Sequence, residues 1–180
     1  MKRTVWTFGL IAGGILSAMM LLTIPFADQI NHSEVIGYTT MVAAFLLVFF
    51  GIRSYRDNVG GGTISFGRAL AVGALIVVVA SVCYVATWEL IYYVIAPDFM
   101  EKFQAYMIDQ ARASGATPAQ MQAEIAKAQH FVQLYRNPLF NVAITFIEPL
   151  PVGLVLTLVS AGILSRKRRR EEPGLTAAVA

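Results

Sequence analysis

The run NPLFNVAITFIEPLPVGLVLTLVSAGILSRKRRR, residues 137–170, decides the class of this protein. It is too long for a soluble core strand, whereas about 20 apolar residues carry a helix across a bilayer core about 30 Å thick. It closes on Arg166, Lys167, Arg168, Arg169 and Arg170 without a break. Basic residues in short loops are held in the cytoplasm, so this end of the span is expected inside. Between its apolar halves stand Glu148, Pro149 and Pro151. Proline has no N–H and its ring crowds the preceding turn, so a helix kink is expected at Pro149 and Pro151.

The whole chain agrees with that reading. Of 180 residues, 57% are hydrophobic and 14% charged, and the net charge is +3. Soluble domains carry about 25% charged residues, so the shortfall points to an all-α integral membrane protein. Cys83 is the single cysteine, which excludes a disulfide framework within one chain and any cysteine cluster for a metal. It reads as a packing residue.

Working outward from the last span, three more appear. The expected spans are about 4–27, 34–53, 66–96 and 139–165. The first follows Met1, Lys2 and Arg3 and is longer than a signal-peptide core; Pro25 also occupies the place where a cleavage site before Ala27 needs a small residue. It is read as an uncleaved span. Gly9, Gly13 and Ser17 recur every fourth residue, which puts small side chains on one face for close helix packing. A polar turn, DQINHS at 28–33, leads to the second span, whose end carries Phe45, Phe49 and Phe50. Next comes GIRSYRDNVGGGTISFGR, residues 51–68, with a flexible turn at Gly60, Gly61 and Gly62 and a cap for the following helix expected from Thr63 or Ser65.

Residues 98–136 differ from the spans. Phe99, Phe103, Tyr106 and Met107 recur at helical spacing, as do Met121, Ile125, Val132 and Tyr135 after a break at Ser114, Gly115 and Ala116. Thr117 followed by Pro118 is a strong helix start. The expectation is a two-helix amphipathic hairpin outside the membrane, between spans 3 and 4.

Charge tests the layout. Lys2, Arg3, Arg53, Arg56, Arg68 and the 166–170 run fall on the inner side, while Lys102, Arg112, Lys127 and Arg136 fall outside. That bias places both termini in the cytoplasm, with residues 1–170 as one membrane domain and 171–180 as a disordered tail. The inner arginines are read as topology and lipid-headgroup contacts, each contributing about 1 kcal/mol near an anionic leaflet.

Several blocks in order resemble a bacterial family of small four-span membrane proteins, domain of unknown function 4199. They are GIRSYRD (51–57) with the following glycines and ISF (64–66), PDFMEKF (97–103), ASGAT (113–117), YRNPLF (135–140) and PVGL (151–154). The likeness covers nearly the whole chain. It implies an inner-membrane protein and carries no catalytic residues with it.

Function must therefore be sought in the residues. Glu89 and Glu148 are the carboxylates within the expected spans, and intramembrane ionisable groups are functional suspects by default. At about 1.5 Å per residue they lie roughly 31 and 27 Å above Arg68 and Arg166, near the outer edge of an apolar core about 30 Å thick. Glu89 stands among Trp88, Tyr92 and Tyr93, which read as an aromatic interface belt. Glu89, Glu148, Trp88 and Tyr92 form the candidate polar site, on the reading that the carboxylates converge in an outward-facing pocket for a proton or cation. The glycines at 60–62 lack the lysine of a phosphate-binding loop. His32 and His130 stand apart without the companions a zinc site needs. With no G-x-S-x-G or H-E-x-x-H present, no enzyme, cofactor or metal is expected, and a short basic run without interleaved aromatics gives no nucleic-acid partner. The leading expectation is a non-enzymatic accessory or interaction protein of the bacterial inner membrane. It would contact a membrane or periplasmic partner through 98–136. The alternative is a small homo-oligomeric transporter or proton/cation-coupled component that uses the carboxylate pair.

Overall fold

The computed structural model describes residues 1–23, 33–115 and 117–165, and among these every regular element is helical. The helices are α1 (Lys2–Thr23), α2 (Ser33–Asn58), α3 (Phe66–Leu90), α4 (Phe99–Ala113), α5 (Pro118–Tyr135), α6 (Pro138–Ile147) and α7 (Leu150–Leu164). A π-helical turn, Ile91–Ile95, extends α3. Four stretches are long and apolar enough to cross a membrane: Lys2–Thr23, Val35–Asn58, Phe66–Ile95 and Pro138–Leu164. Their outward faces carry Leu10, Val42, Leu46, Val82, Val155 and Leu158, all exposed. A water-soluble bundle would not leave such a surface bare, so this is a multi-pass membrane protein.

What holds the spans together is small residues. A Cβ on Gly9 would lie 2.7 Å from Val79 Cβ, and one on Gly13 would lie 2.6 Å from Cys83 Cβ. One turn further, the Thr87 and Ser17 hydroxyls are hydrogen-bonded at 2.7 Å. Thus the four-residue stripe on α1 meets a four-residue stripe on α3, and the two helices run parallel. This is the close packing that small residues allow where hydrocarbon supplies no hydrophobic drive. Gly51 near the end of α2 packs on Phe8 near the start of α1 and on Ile76, so α2 runs the opposite way.

The pairing of α3 with the last span is also antiparallel. A Cβ on Gly73 would lie 2.6 Å from Thr157 Cγ2, one on Gly153 would lie 2.5 Å from Val77 Cγ1, and Tyr84 meets Glu148 as Trp88 meets Asn141. The start of α1, the α2–α3 turn and the end of α7 consequently share one end of the bundle. Lys2, Arg3, Arg53, Arg56 and Arg68 all lie at that end. Arg166, Lys167, Arg168, Arg169 and Arg170 lie outside the described residues, as do the 171–180 tail, Pro25, Ala27, Asp28, His32 and Ala116.

Local signals act as their chemistry requires, with one correction. In the α2–α3 turn Gly61 and Gly62 take φ of +61° and +84°, a region that glycine enters without penalty. Ser65 holds the N-cap position of α3 but makes no capping bond, and Thr63 Oγ1 instead donates to Gly60 O at 3.3 Å. The hydroxyl is drawn into the glycine turn before the helix begins. Thr117 caps α5 in a full capping box with Gln120, and Pro118 occupies the first turn.

Candidate functional site

The face of α3 that meets the last span carries the chemistry. Val77, Ser81, Tyr84 and Trp88 recur along it at helical spacing. Opposite them, α6, α7 and the break between them offer Asn141, Thr145, Pro149, Gly153, Thr157 and Ala161, each buried and each four residues from the next. Some of the polar members pair across the seam. Trp88 Nε1 donates to Asn141 Oδ1 at 3.1 Å, Thr145 Oγ1 donates to the same oxygen at 3.3 Å, and Tyr135 OH pairs with Thr145 Oγ1 at 3.3 Å. Asn141 is completely buried, and its Nδ2 has no partner.

Tyr135 comes from the end of α5, so this network ties α5 to the spans. Around it the rings close ranks. Trp88 stands edge-on to Phe99 at 5.0 Å and to Tyr135 at 6.4 Å, and Tyr92 meets Tyr135 at 5.7 Å. Phe103 and Phe131 link α4 to α5 at 6.1 Å. Such edge-to-face pairs add about 0.5–1.5 kcal/mol beyond area burial. The Tyr135 phenol is pushed up to about 12, chiefly by burial.

Glu148 and Glu89 have different surroundings. Glu148 occupies the C-cap position of α6, and its Oε2 accepts from Tyr84 OH at 3.1 Å. Its residue surface is exposed on the outside of the bundle. Glu89 is half-buried beside Trp88, and its Oε1 is buried without a hydrogen-bond partner. Among the described residues no hydrogen bond joins the two carboxylates, and no lysine or arginine pairs with either. The tyrosine hydroxyl that meets a carboxylate belongs to Tyr84 and serves Glu148, while Trp88 and Tyr92 beside Glu89 are committed to the ring cluster.

Pro149 and Pro151 interrupt the last span at Glu148 and Pro149. Without their N–H groups, the carbonyls of Thr145 and Ile147 lose the donors four residues ahead. Both break residues keep right-handed helical dihedrals (Glu148 φ −55°, ψ −50°; Pro149 φ −77°, ψ −15°), so the chain passes through with its bonding cut.

At the opposite end of the bundle, Asp57 accepts from Arg56 Nε at 2.7 Å and stands 3.6 Å from Arg53 Nε. Lys2, Arg3 and Arg68 are exposed there. His130 is exposed on α5, and no group of three or more metal-ligating side chains occurs among the described residues.

Sequence reasoning passed over Asn141, Thr145 and Tyr84, and set Ser81 aside for want of an adjacent base. The signal was present: from Asn141 to Ala161 every fourth residue is small or polar in an otherwise bulky run, which marks a helix face meant to be covered. Apolar length drew the reading to the membrane and away from that stripe.

No curated protein and no solved structure matches the chain. A family model does, over residues 7–166: with nearly its whole length matched, the chain belongs to the family described as protein of unknown function (DUF4199).

Proposed function

We propose that this chain is a non-enzymatic accessory or interaction protein of the bacterial inner membrane, with both termini cytoplasmic and α4 and α5 forming a hairpin on the outer side. One observation carries the reading: burial in α4 and α5 is confined to their base. The buried residues are Met100 in α4 and Ala128, Val132 and Tyr135 in α5, with none among the described residues from 101 to 127. Tyr106, expected on the apolar face, is 52% exposed and accepts from Gln110. Tyr106, Asp109, Gln110, Ala113 and Ser114 line a shallow concavity on this projecting half. A mixed helical surface held rigidly at its root and left uncovered at its tip suits recognition by another protein.

Placing a photocrosslinking residue at Tyr106 in living cells tests this, with the same residue at Phe103 as the covered control. The reading requires a discrete adduct with a different polypeptide from position 106. Adducts confined to a second copy of this chain would instead favour the oligomeric transporter, for which the exposed Glu148 and the unpartnered Glu89 are the support. Orientation is tested by Ser114→Cys in a Cys83→Ala background: an impermeant maleimide added outside must label it.

A further inference from the structure

We propose that the break between α6 and α7 is a binding site for a monovalent alkali cation, built by the Glu148 carboxylate, the Thr145 and Ile147 carbonyls, the Tyr84 hydroxyl and the Ser81 hydroxyl. The site needs neither a hairpin partner nor Glu89.

Three independent observations converge on one place. The first is the pair of carbonyls. Pro149 and Pro151 cannot donate, so Thr145 O and Ile147 O lack their ordinary helical partners inside a membrane-spanning stretch. Helix carbonyls aim toward the C-terminus, which here is the break itself, and α6 adds the negative end of its dipole. Discontinuous spans whose freed carbonyls face a polar residue are the usual way a membrane bundle holds a small cation.

The second is Glu148, seated at that C-cap with Tyr84 OH on one oxygen and no basic side chain among the described residues. A carboxylate at the negative end of a helix, without a cationic partner, calls for positive charge.

The third is Ser81. It lies on α3 between Val77, which meets Gly153, and Tyr84, which meets Glu148, so the antiparallel register sets it opposite Pro149. Ser81 is completely buried and its Oγ has no partner. Five threonines in the span helices do otherwise: Thr23, Thr39, Thr40, Thr87 and Thr157 each donate to the carbonyl four residues back. Ser81 does not, which leaves a buried hydroxyl without a partner at the level that the register assigns to the break.

The charge of the site selects the ion. Five oxygens with a single carboxylate among them match one positive charge, whereas calcium sites draw on several carboxylates and magnesium keeps its water.

The test uses the full chain in nanodiscs of uncharged lipid, with thermal unfolding followed in sodium, potassium and N-methylglucamine chloride at equal ionic strength. A saturable rise in midpoint with sodium or potassium, absent with N-methylglucamine, is expected, and the more effective salt identifies the ion. Glu148→Gln must abolish the rise, while Glu89→Gln must leave it intact. Ser81→Ala must raise the half-saturating concentration by about tenfold, the weight of one good oxygen ligand. Equal midpoints in all three salts, or a rise that survives Glu148→Gln, overturns the proposal. Should Glu148→Gln fail to fold, an unchanged half-saturating concentration in Ser81→Ala overturns it equally.

Discussion

The contact between α3 and α7 is open to a quantitative test at Gly153. A methyl placed there would lie 2.5 Å from Val77 Cγ1 and 2.8 Å from Cγ2, where non-bonded carbons rest at about 3.5–4.0 Å. Two contacts this short place the cost in the upper part of the overpacking range, about 2–3 kcal/mol. Replacing glycine by alanine within a helix returns up to about 1 kcal/mol of backbone entropy, so Gly153→Ala should destabilise by about 1–2 kcal/mol net. Val77→Ala removes both γ carbons and leaves Cβ at 3.3 Å from the new methyl. By itself it opens a void costing about 1–2 kcal/mol. In the double variant the clash is gone and the added methyl fills part of that void. The pair should therefore fall short of additivity by about 1–2 kcal/mol in the stabilising direction. Reversible unfolding in mixed detergent micelles, followed by helical circular dichroism, measures all four corners of the cycle. Strict additivity, or a Gly153→Ala variant as stable as the parent, would refute the register assigned to α3 and α7.

Three further outcomes follow from the same geometry. Asn141→Leu strands the Trp88 indole N–H and the Thr145 hydroxyl, and should destabilise by about 1–2 kcal/mol; a Trp88→Phe variant that is equally sensitive to Asn141→Leu would show that the indole bond is idle. Gly13→Ala, whose methyl would meet Cys83 Cβ at 2.6 Å, should weaken the bundle, while Gly14→Ala, with nothing within 4 Å, should be neutral or slightly stabilising in the same unfolding assay. The Tyr135 phenol, raised to about 12 by burial, contributes stability that is fully present below the unfolded value near 10 and is lost as pH rises through about 12. Tyrosinate absorbance should accordingly lose its component near pH 12 in Tyr135→Phe, and a titration identical to the parent would contradict that assignment.

Much of this fold is legible without coordinates, because each feature rests on a short-range rule. The 137–170 run exceeds a bilayer thickness, the Gly9–Gly13–Ser17 spacing defines one helix face, and Thr117-Pro118 caps the next helix; none of these needs to know what lies across the bundle. Other features escape such rules. Ser65 stands where a cap belongs, yet competition from the Gly60 carbonyl decides what the neighbouring Thr63 hydroxyl does, and that depends on the shape of the turn. Tyr106 fits the apolar spacing of α4, but no element among the described residues covers it.

The polar site shows the division most sharply. Sequence alone led to the expectation of two carboxylates near one edge of a membrane, because apolar length is read as depth. Which groups they would meet was decided only by the antiparallel register of α3 against the last span. That register sets Tyr84 on Glu148 and Trp88 on Asn141, and brings Ser81 opposite Pro149. Spacing along one helix tells which residues share a face, but the partner of that face depends on how far one helix slides along another. The slide is set by whether Gly73 and Gly153 can seat Thr157 and Val77, a contact between residues more than seventy positions apart.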